Sequence, residues 1–215
     1  MKSQKNKIMM KYITSIFFIL ISIFVFSQTP MSEAEKKTFV SKTSEESKAI
    51  KTLQSDFSQV KKMDFLDNDI TTYGKMTLKS PNLLSWKYTK PYQYSIIFKE
   101  NKIFINDQGK KSTVDAKSKT FEKINKLIVG SASGKMFDDP EFIVRYFKTG
   151  TTNIARFIPK SQQLLKYIKQ VELVFPKNQS TVSQVNMLEA SGDTTTINFK
   201  NTKVNAPVSN ADFSL

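Results

Sequence analysis

Gly74-Lys75-Met76-Thr77-Leu78-Lys79-Ser80-Pro81-Asn82-Leu83-Leu84-Ser85-Trp86-Lys87-Tyr88-Thr89-Lys90-Pro91 alternates apolar and polar side chains on both sides of a Pro-Asn turn. A period of two is the pattern of a pleated strand with one buried face, so this stretch reads as two antiparallel strands. The same period extends in both directions. Upstream lie Phe57-Ser58-Gln59-Val60 and Ile70-Thr71-Thr72-Tyr73. Downstream, Tyr92 to Phe98 and Lys102 to Ile105 lead through the turn Asn106-Asp107-Gln108-Gly109 into Lys111 to Val114. Five to six consecutive strands with short polar turns form a meander. Strands return later as Asn153 to Ile158, Lys166 to Phe175, Thr181 to Leu188 and Thr194 to Asn201, with Phe213-Ser214-Leu215 as a terminal fragment.

Helical spacing appears in three places. Ser32 followed by Glu35 is a capping box, and Phe39, Val40, Ile50 and Leu53 stand apolar among charges, so one amphipathic helix is expected from Ser32 to about Leu53, fraying around Ser41 to Ser47. Phe121, Ile124, Leu127 and Ile128 share one helical face before Gly130. Asp139-Pro140-Glu141 offers an N-cap, a first-turn proline and a first-turn acid, which predicts a helix presenting Phe142, Ile143, Tyr146 and Phe147 and ending by Gly150. The fold class is therefore mainly β with α, in one domain.

The N-terminus is set apart from this pattern. Lys2, Lys5, Lys7 and Lys11 precede the apolar run Tyr12 to Phe26, which is shorter than the roughly twenty residues a bilayer core requires. Residues 1–27 read as a signal peptide cleaved between Ser27 and Gln28, with 28–215 as the exported domain. The formal charge is +14; with the four leader lysines removed it is +10, from 29 Lys+Arg against 19 Asp+Glu. Such a balance favours anionic membrane surfaces or acidic proteins as encounter partners. With no cysteine there is no disulfide and no lipidation site, and stability rests on the core.

Histidine is absent as well, which excludes Ser-His and Cys-His dyads and the usual zinc and copper ligands. Ser58-Gln59-Val60-Lys61 and Lys148-Thr149-Gly150 match two fragments of a serine acyl-transferase set. The first lies in a period-two segment where a helix is needed, and the middle S-D-N element is missing. Asp64, Asp67 and Asp69 miss the spacing of a calcium loop and read as a hairpin tip. Asp138-Asp139 reads as capping. Tyr92, Tyr94 and Phe98 come without a nucleic-acid-binding fingerprint. No catalytic residue, metal or cofactor is assigned, and the chain reads as a non-enzyme that binds no nucleic acid.

The stretch from Gly74 to Pro91, preceded by a helix and by Phe57-Ser58-Gln59, resembles the LolA family of periplasmic outer-membrane lipoprotein carriers. Thr196-Ile197-Asn198-Phe199, Asn205 and Asp212-Phe213 are similar to that family's last strands. The resemblance implies a single curved antiparallel sheet, an incomplete barrel, with an N-terminal helix and short lid helices over its hollow. It also supplies the parity, placing Trp86 inward with Leu84 and Tyr88, and Met76, Leu78, Ile96 and Phe98 beside them as the lipid-binding cavity. Ile124, Leu127, Ile128, Phe142, Ile143, Tyr146 and Phe147 become the lid. Where the family carries an arginine that latches the lid, this chain has Ser80, which is shorter and uncharged.

The implied function is periplasmic transport of acylated lipoproteins by a monomer. The donor would be an inner-membrane ABC-type complex and the acceptor an outer-membrane receptor or the membrane surface. A carrier of another lipid, a glycolipid or a polyene precursor, requires the same hollow. A secreted structural β-protein would instead have a solid core.

Overall fold

The computed structural model describes residues 28–100, 102–115 and 135–215. The leader and the stretch containing Phe121, Ile124, Leu127 and Ile128 lie outside the described residues. Twelve strands form one open antiparallel sheet, ordered β1-β8-β9-β10-β11-β12-β2-β3-β4-β5-β6-β7. They are β1 (Thr29–Pro30), β2 (Thr52–Lys62), β3 (Ile70–Lys79), β4 (Leu83–Lys90), β5 (Tyr94–Lys99), β6 (Lys102–Asp107), β7 (Lys110–Asp115), β8 (Phe142–Lys148), β9 (Thr152–Pro159), β10 (Ile168–Pro176), β11 (Gln184–Glu189) and β12 (Thr194–Val204). The quoted stretch is the β3–β4 hairpin, as the alternation predicts, with Met76 opposite Trp86 and Leu78 opposite Leu84. β2 and β12 pair at the centre of the sheet and join its two halves.

Helix α1 (Glu33–Lys48) carries the expected cap: Ser32 Oγ accepts from Glu35 N–H, and the Glu35 carboxylate accepts from Ser32 N–H at 3.0 Å. It runs unbroken through residues 41–47 and stops at Lys48, short of Leu53, which begins the inward row of β2 opposite Leu78. The helix lies along one end of the sheet. Met31 N–H donates to Tyr146 O at one side, and at the other Asn205 Nδ2 donates to Ala49 O while its Oδ1 accepts from Lys51 N–H. Phe39 turns inward into a ring cluster with Phe137, Tyr146 and Phe175, at centroid distances of 5.3–6.2 Å. One continuous core draws side chains from α1, β2 to β6 and β8 to β12, so the sheet wraps a single inner face.

One expectation is overturned. Phe142, Ile143, Tyr146 and Phe147 do not form a helix; they belong to strand β8, paired with β9 from Phe142–Pro159 to Lys148–Asn153. The Asp139 side chain does accept a backbone N–H, from Glu141 at 2.9 Å, but the bond closes a turn after the single 3-10 turn Lys135–Asp138. Asx turns and helix caps use the same hydrogen bond, so the motif could not separate them. The strand is apolar on both faces. Phe142, Val144 and Tyr146 face the core, while Phe147 on the outer face lies beneath the Arg156 guanidinium, 4.3 Å from its ring, and pairs with Pro30 of β1. Because the outer face also carries apolar side chains, the exposed Ile143 and the half-buried Phe147, alternation is lost and a helix-like spacing remains.

Candidate functional site

The inner face of β3 to β6 is built by register. Trp86 stands between Met76 and Ile96, Leu84 between Leu78 and Phe98, and Tyr88 between Gly74 and Tyr94. All seven residues expected to form the cavity thus share one face and one contiguous patch. Met76, Leu78, Leu84, Trp86 and Phe98 are buried, whereas Tyr88 and Ile96 are half-buried. Trp86 packs over Phe57, with ring centroids 4.4 Å apart, and meets Phe199 edge-on at 6.0 Å. Phe57 and Phe199 are residues that sequence reasoning did not place in the site.

Gly74 explains how so many rings fit. It lies opposite both Phe57 and Tyr88, and a Cβ built there would sit 2.4 Å from Phe57 Cζ and 2.2 Å from the Lys87 carbonyl oxygen. Only a residue without Cβ lets the two rings close over β3 and meet edge-to-face at 5.3 Å. A glycine between aromatic strands in the sequence was the signal for Phe57.

The patch is graded along the strands. Near α1 the inner residues Leu53, Leu78, Leu84, Phe98 and Ile103 are buried; toward the opposite end Tyr88, Ile96, Ile105, Met187 and Phe199 are only half-buried, while Thr72, Thr195 and Ile197 stay buried there. That end carries polar groups as well. Tyr88 Oη donates to Gln59 Oε1 at 3.1 Å, and Lys61 Nζ donates to both Glu189 carboxylate oxygens at 2.9 and 3.0 Å, with Thr195 Oγ1 on the same carboxylate. Burial raises the Tyr88 and Tyr94 hydroxyls above the usual phenol range, so both stay neutral donors. Tyr88, Tyr92 and Tyr94, with Asp107 and Gln108, surround an opening of about 340 Å³. Beyond it the β2–β3 loop exposes Phe65, at 78 %, and Leu66.

Other sequence candidates are placed apart from this face. Ser80, the latch position, is exposed at the β3–β4 turn near α1, where its N–H donates to Lys51 O at 2.8 Å. Lys148-Thr149-Gly150 forms the β8–β9 turn, and its Lys148 bonds the Glu35 carboxylate. Ser58 lies on β2 with its side chain on the outer face, away from that turn. Asp64, Asp67 and Asp69 occupy the β2–β3 loop, where Asp69 pairs with Lys62 at 3.4 Å. Among the described residues no group of three or more acidic side chains is placed to hold a metal, and no helix is long and apolar enough to cross a membrane.

No curated protein sequence matches the chain. Solved structures similar to it include a DUF1329 family protein from Desulfovibrio piger, with 11% identity over 83% of this chain and 96% of that one at a TM-score of 0.49. A LolA superfamily protein from Nitrosomonas europaea has 9% identity over 83% and 97%, at 0.47. The lipoprotein LppX of Mycobacterium tuberculosis has 10% identity over 80% and 98%, at 0.42. The family profile of outer membrane lipoprotein carrier protein LolA matches residues 48–215. With that match spanning the inner-face strands, the chain belongs to the LolA family.

Proposed function

We propose that the chain is an exported carrier that takes up the acyl chains of lipoproteins in the hollow of its sheet and moves them from the inner to the outer membrane. The observation that carries this reading is the graded inner face: an apolar patch from Met76 to Phe98 that is sealed near α1 and half-open at Tyr88, Ile96, Ile105 and Phe199. A residue of a solid core gains nothing from partial exposure. An acyl methylene gains roughly 0.8 kcal/mol on leaving water, so a chain of about sixteen carbons represents on the order of 12 kcal/mol. A hollow that recovers part of this makes transit possible. The tyrosines and the Lys61–Glu189 pair at the open end suit the polar head of such a cargo, with its tails toward Trp86. On this reading residues 1–27 are a cleaved leader, the protein is a periplasmic monomer with no catalytic step, and membrane-bound complexes supply and accept the lipoprotein.

Trp86 is the sole tryptophan and tests the reading directly. Adding a diacylated peptide to delipidated protein should shift its emission. Mass spectrometry of lipid copurified from the native host should find lipoprotein acyl groups. Unchanged emission in protein shown independently to be loaded would take Trp86 out of the hollow. Copurified glycolipid or polyene alone would assign a different cargo. An apolar-pocket dye that fails to bind at all would leave a structural protein with a solid core.

A further inference from the structure

The inner face around Tyr88 carries polar side chains whose hydrogen bonds can be followed one by one. Tyr88 Oη donates to Gln59 Oε1 at 3.1 Å, and Thr195 Oγ1 donates at 3.1 Å to the Glu189 carboxylate, which also accepts from Lys61. Two groups on this face are left out. The indole N–H of Trp86 and the hydroxyl of Thr72 find no hydrogen-bond partner among the described residues. Trp86 is 5 % exposed and Thr72 2 %, so bulk water does not reach them either. Buried polar groups in folded proteins are nearly always paired, because an orphan forfeits the hydrogen bonds it made to water. Two orphans on one wall, beside neighbours that the same strands do pair, point to a partner from outside the chain.

Register brings the two together. Thr72 lies directly opposite Gln59, the residue that Tyr88 bonds, and Tyr88 follows Trp86 on the same face of β4. Burial pushes the Tyr88 hydroxyl up and the neighbouring indole N–H opposes that push, so the two groups are close, yet their geometry falls short of a hydrogen bond. The chemistry of the orphans narrows the partner. An indole N–H only donates, so the partner must accept, and a threonine hydroxyl can donate as well. The surroundings are apolar, for the indole packs on Phe57 at 4.4 Å and Phe199 at 6.0 Å, with Met76 opposite. An anionic oxygen would lose its hydration there without a free cation beside it, since Lys61 is held by Glu189 at 2.9 Å. A neutral carbonyl oxygen meets both conditions, and a bare alkyl chain meets neither.

We propose that Trp86 Nε1 and Thr72 Oγ1 form a polar subsite in the wall of the hollow that binds the carbonyl oxygens of acyl linkages, ester or amide, and so selects acylated ligands over ether-linked ones of the same length. Resting on the reading of this face as a lipid-binding hollow, the subsite adds a fixed depth to it. The tails run past Met76 and Leu84 toward α1, the linkages stop at Trp86 and Thr72, and the head lies beyond them at Lys61 and Glu189. A diacylated head brings two carbonyls, one for each donor. An ether oxygen accepts more weakly and leaves both donors poorly served.

Three probes on one glycerol backbone test the subsite: a palmitoyl diester, its diamide analogue and its hexadecyl diether, each titrated into dye-loaded protein while displacement of the apolar dye is followed. The better carbonyl probe should bind about ten-fold more tightly than the diether, the gain that two neutral hydrogen bonds supply, and whether it is the diester or the diamide identifies the linkage. Thr72→Val keeps the shape and removes the hydroxyl. It should narrow the preference to about three-fold while melting no lower than the parent, because the group removed is an orphan. Trp86→Phe should narrow the preference likewise. The infrared stretch of an isotope-labelled ester carbonyl should fall on binding to the parent and fall less on binding to either variant. Equal displacement by all three probes, or a preference unchanged in Thr72→Val, would overturn the subsite and leave the hollow standing. Displacement by none of them would instead overturn the lipid-binding reading of the hollow, and the subsite with it.

Discussion

The two halves of the sheet use the same strand pairing and bury different amounts of it. In β9 and β10 both faces are covered: Phe157, Ala155, Leu173 and Phe175 close the inside, and Ile154, Val174 and Glu172 are buried on the outside. In β3 to β6 the outer face is buried only locally, at Ser85 and Ile97, and on the inner face Tyr88 and Ile96 are only half-buried. The first half is packed on both faces, and the second keeps half-buried apolar side chains that, on the proposed function, a guest would complete. Stability and function are thus separable on one continuous sheet, and substitutions in the two halves should respond differently.

The largest effect is expected from Phe157→Ala, which empties a fully buried site and should lower stability by about 4 kcal/mol in urea unfolding. Ile96→Ala removes a half-buried chain and should cost about 1–2 kcal/mol or less, while clearly weakening binding of an apolar dye. Equal losses of stability with dye binding untouched would show that the two halves are packed alike.

Gly74→Ala sharpens the contrast, since it lies in the hollow half yet should behave like a core change. The new Cβ would meet the Lys87 carbonyl oxygen, a backbone atom that cannot move aside alone, and the Phe57 ring. A loss on the order of 3 kcal/mol is expected from the forced displacement. Trp86 emission should shift too, because Phe57 stacks on it. A variant as stable as the parent would mean that β3 and β4 separate easily, and the hollow would then be a softer structure than its register indicates.

What was legible in the sequence follows the same division. The alternating half announced itself: the period of two in β3 and β4 gave the strands and the hairpin to within a residue or two, while the family resemblance supplied which parity faces inward. The capping box of α1 was equally legible, because Ser32 and Glu35 carry their geometry with them. β8 breaks the alternation because its outer face also carries apolar residues, Ile143 exposed to solvent and Phe147 under Arg156. Its β-branched and aromatic composition favoured a strand, and the Asp139 motif outweighed it. The polar groups of the open end, Gln59 with Tyr88 and Lys61 with Glu189, were hidden for another reason. They are brought together by pairings across as many as 128 residues, which no local pattern records.

The ring cluster that holds α1 to the packed half offers a pH-dependent test. Burial, and secondarily Asp138, pushes the Tyr146 hydroxyl up to about 12 from 10. The folded state therefore holds the proton more tightly than the unfolded chain. The resulting stability is complete below pH 10 and is lost as pH rises toward 12. Melting temperature should fall across that window in the parent and fall less in Tyr146→Phe. Identical alkaline profiles would show that the phenol is already solvated, and that Phe39 and Phe175 hold the helix without it.

The smallest effect should come from the other tie between α1 and the packed half. Lys148 first, and then the Ser32 backbone N–H, hold the Glu35 carboxyl down at about 2 from 4.5. A depressed carboxyl contributes stability above the unfolded value, so this contribution should be present above about pH 4.5 and fade as pH falls to 2. The group is solvent-exposed, so screening keeps the effect small and salt-sensitive. Glu35→Gln separates the two causes, because a glutamine at this position can still accept from Ser32 N–H but cannot form the charged pair with Lys148. Hydrogen exchange should then show faster opening of α1's first turn and of the β1–β8 edge at pH 6, converging with the parent near pH 2, with β3 to β6 unchanged throughout. If protection of β3 to β6 fell as well, the helix would be clamping the hollow half through the shared core, and the independence of the two halves would fail at the place where α1 spans both.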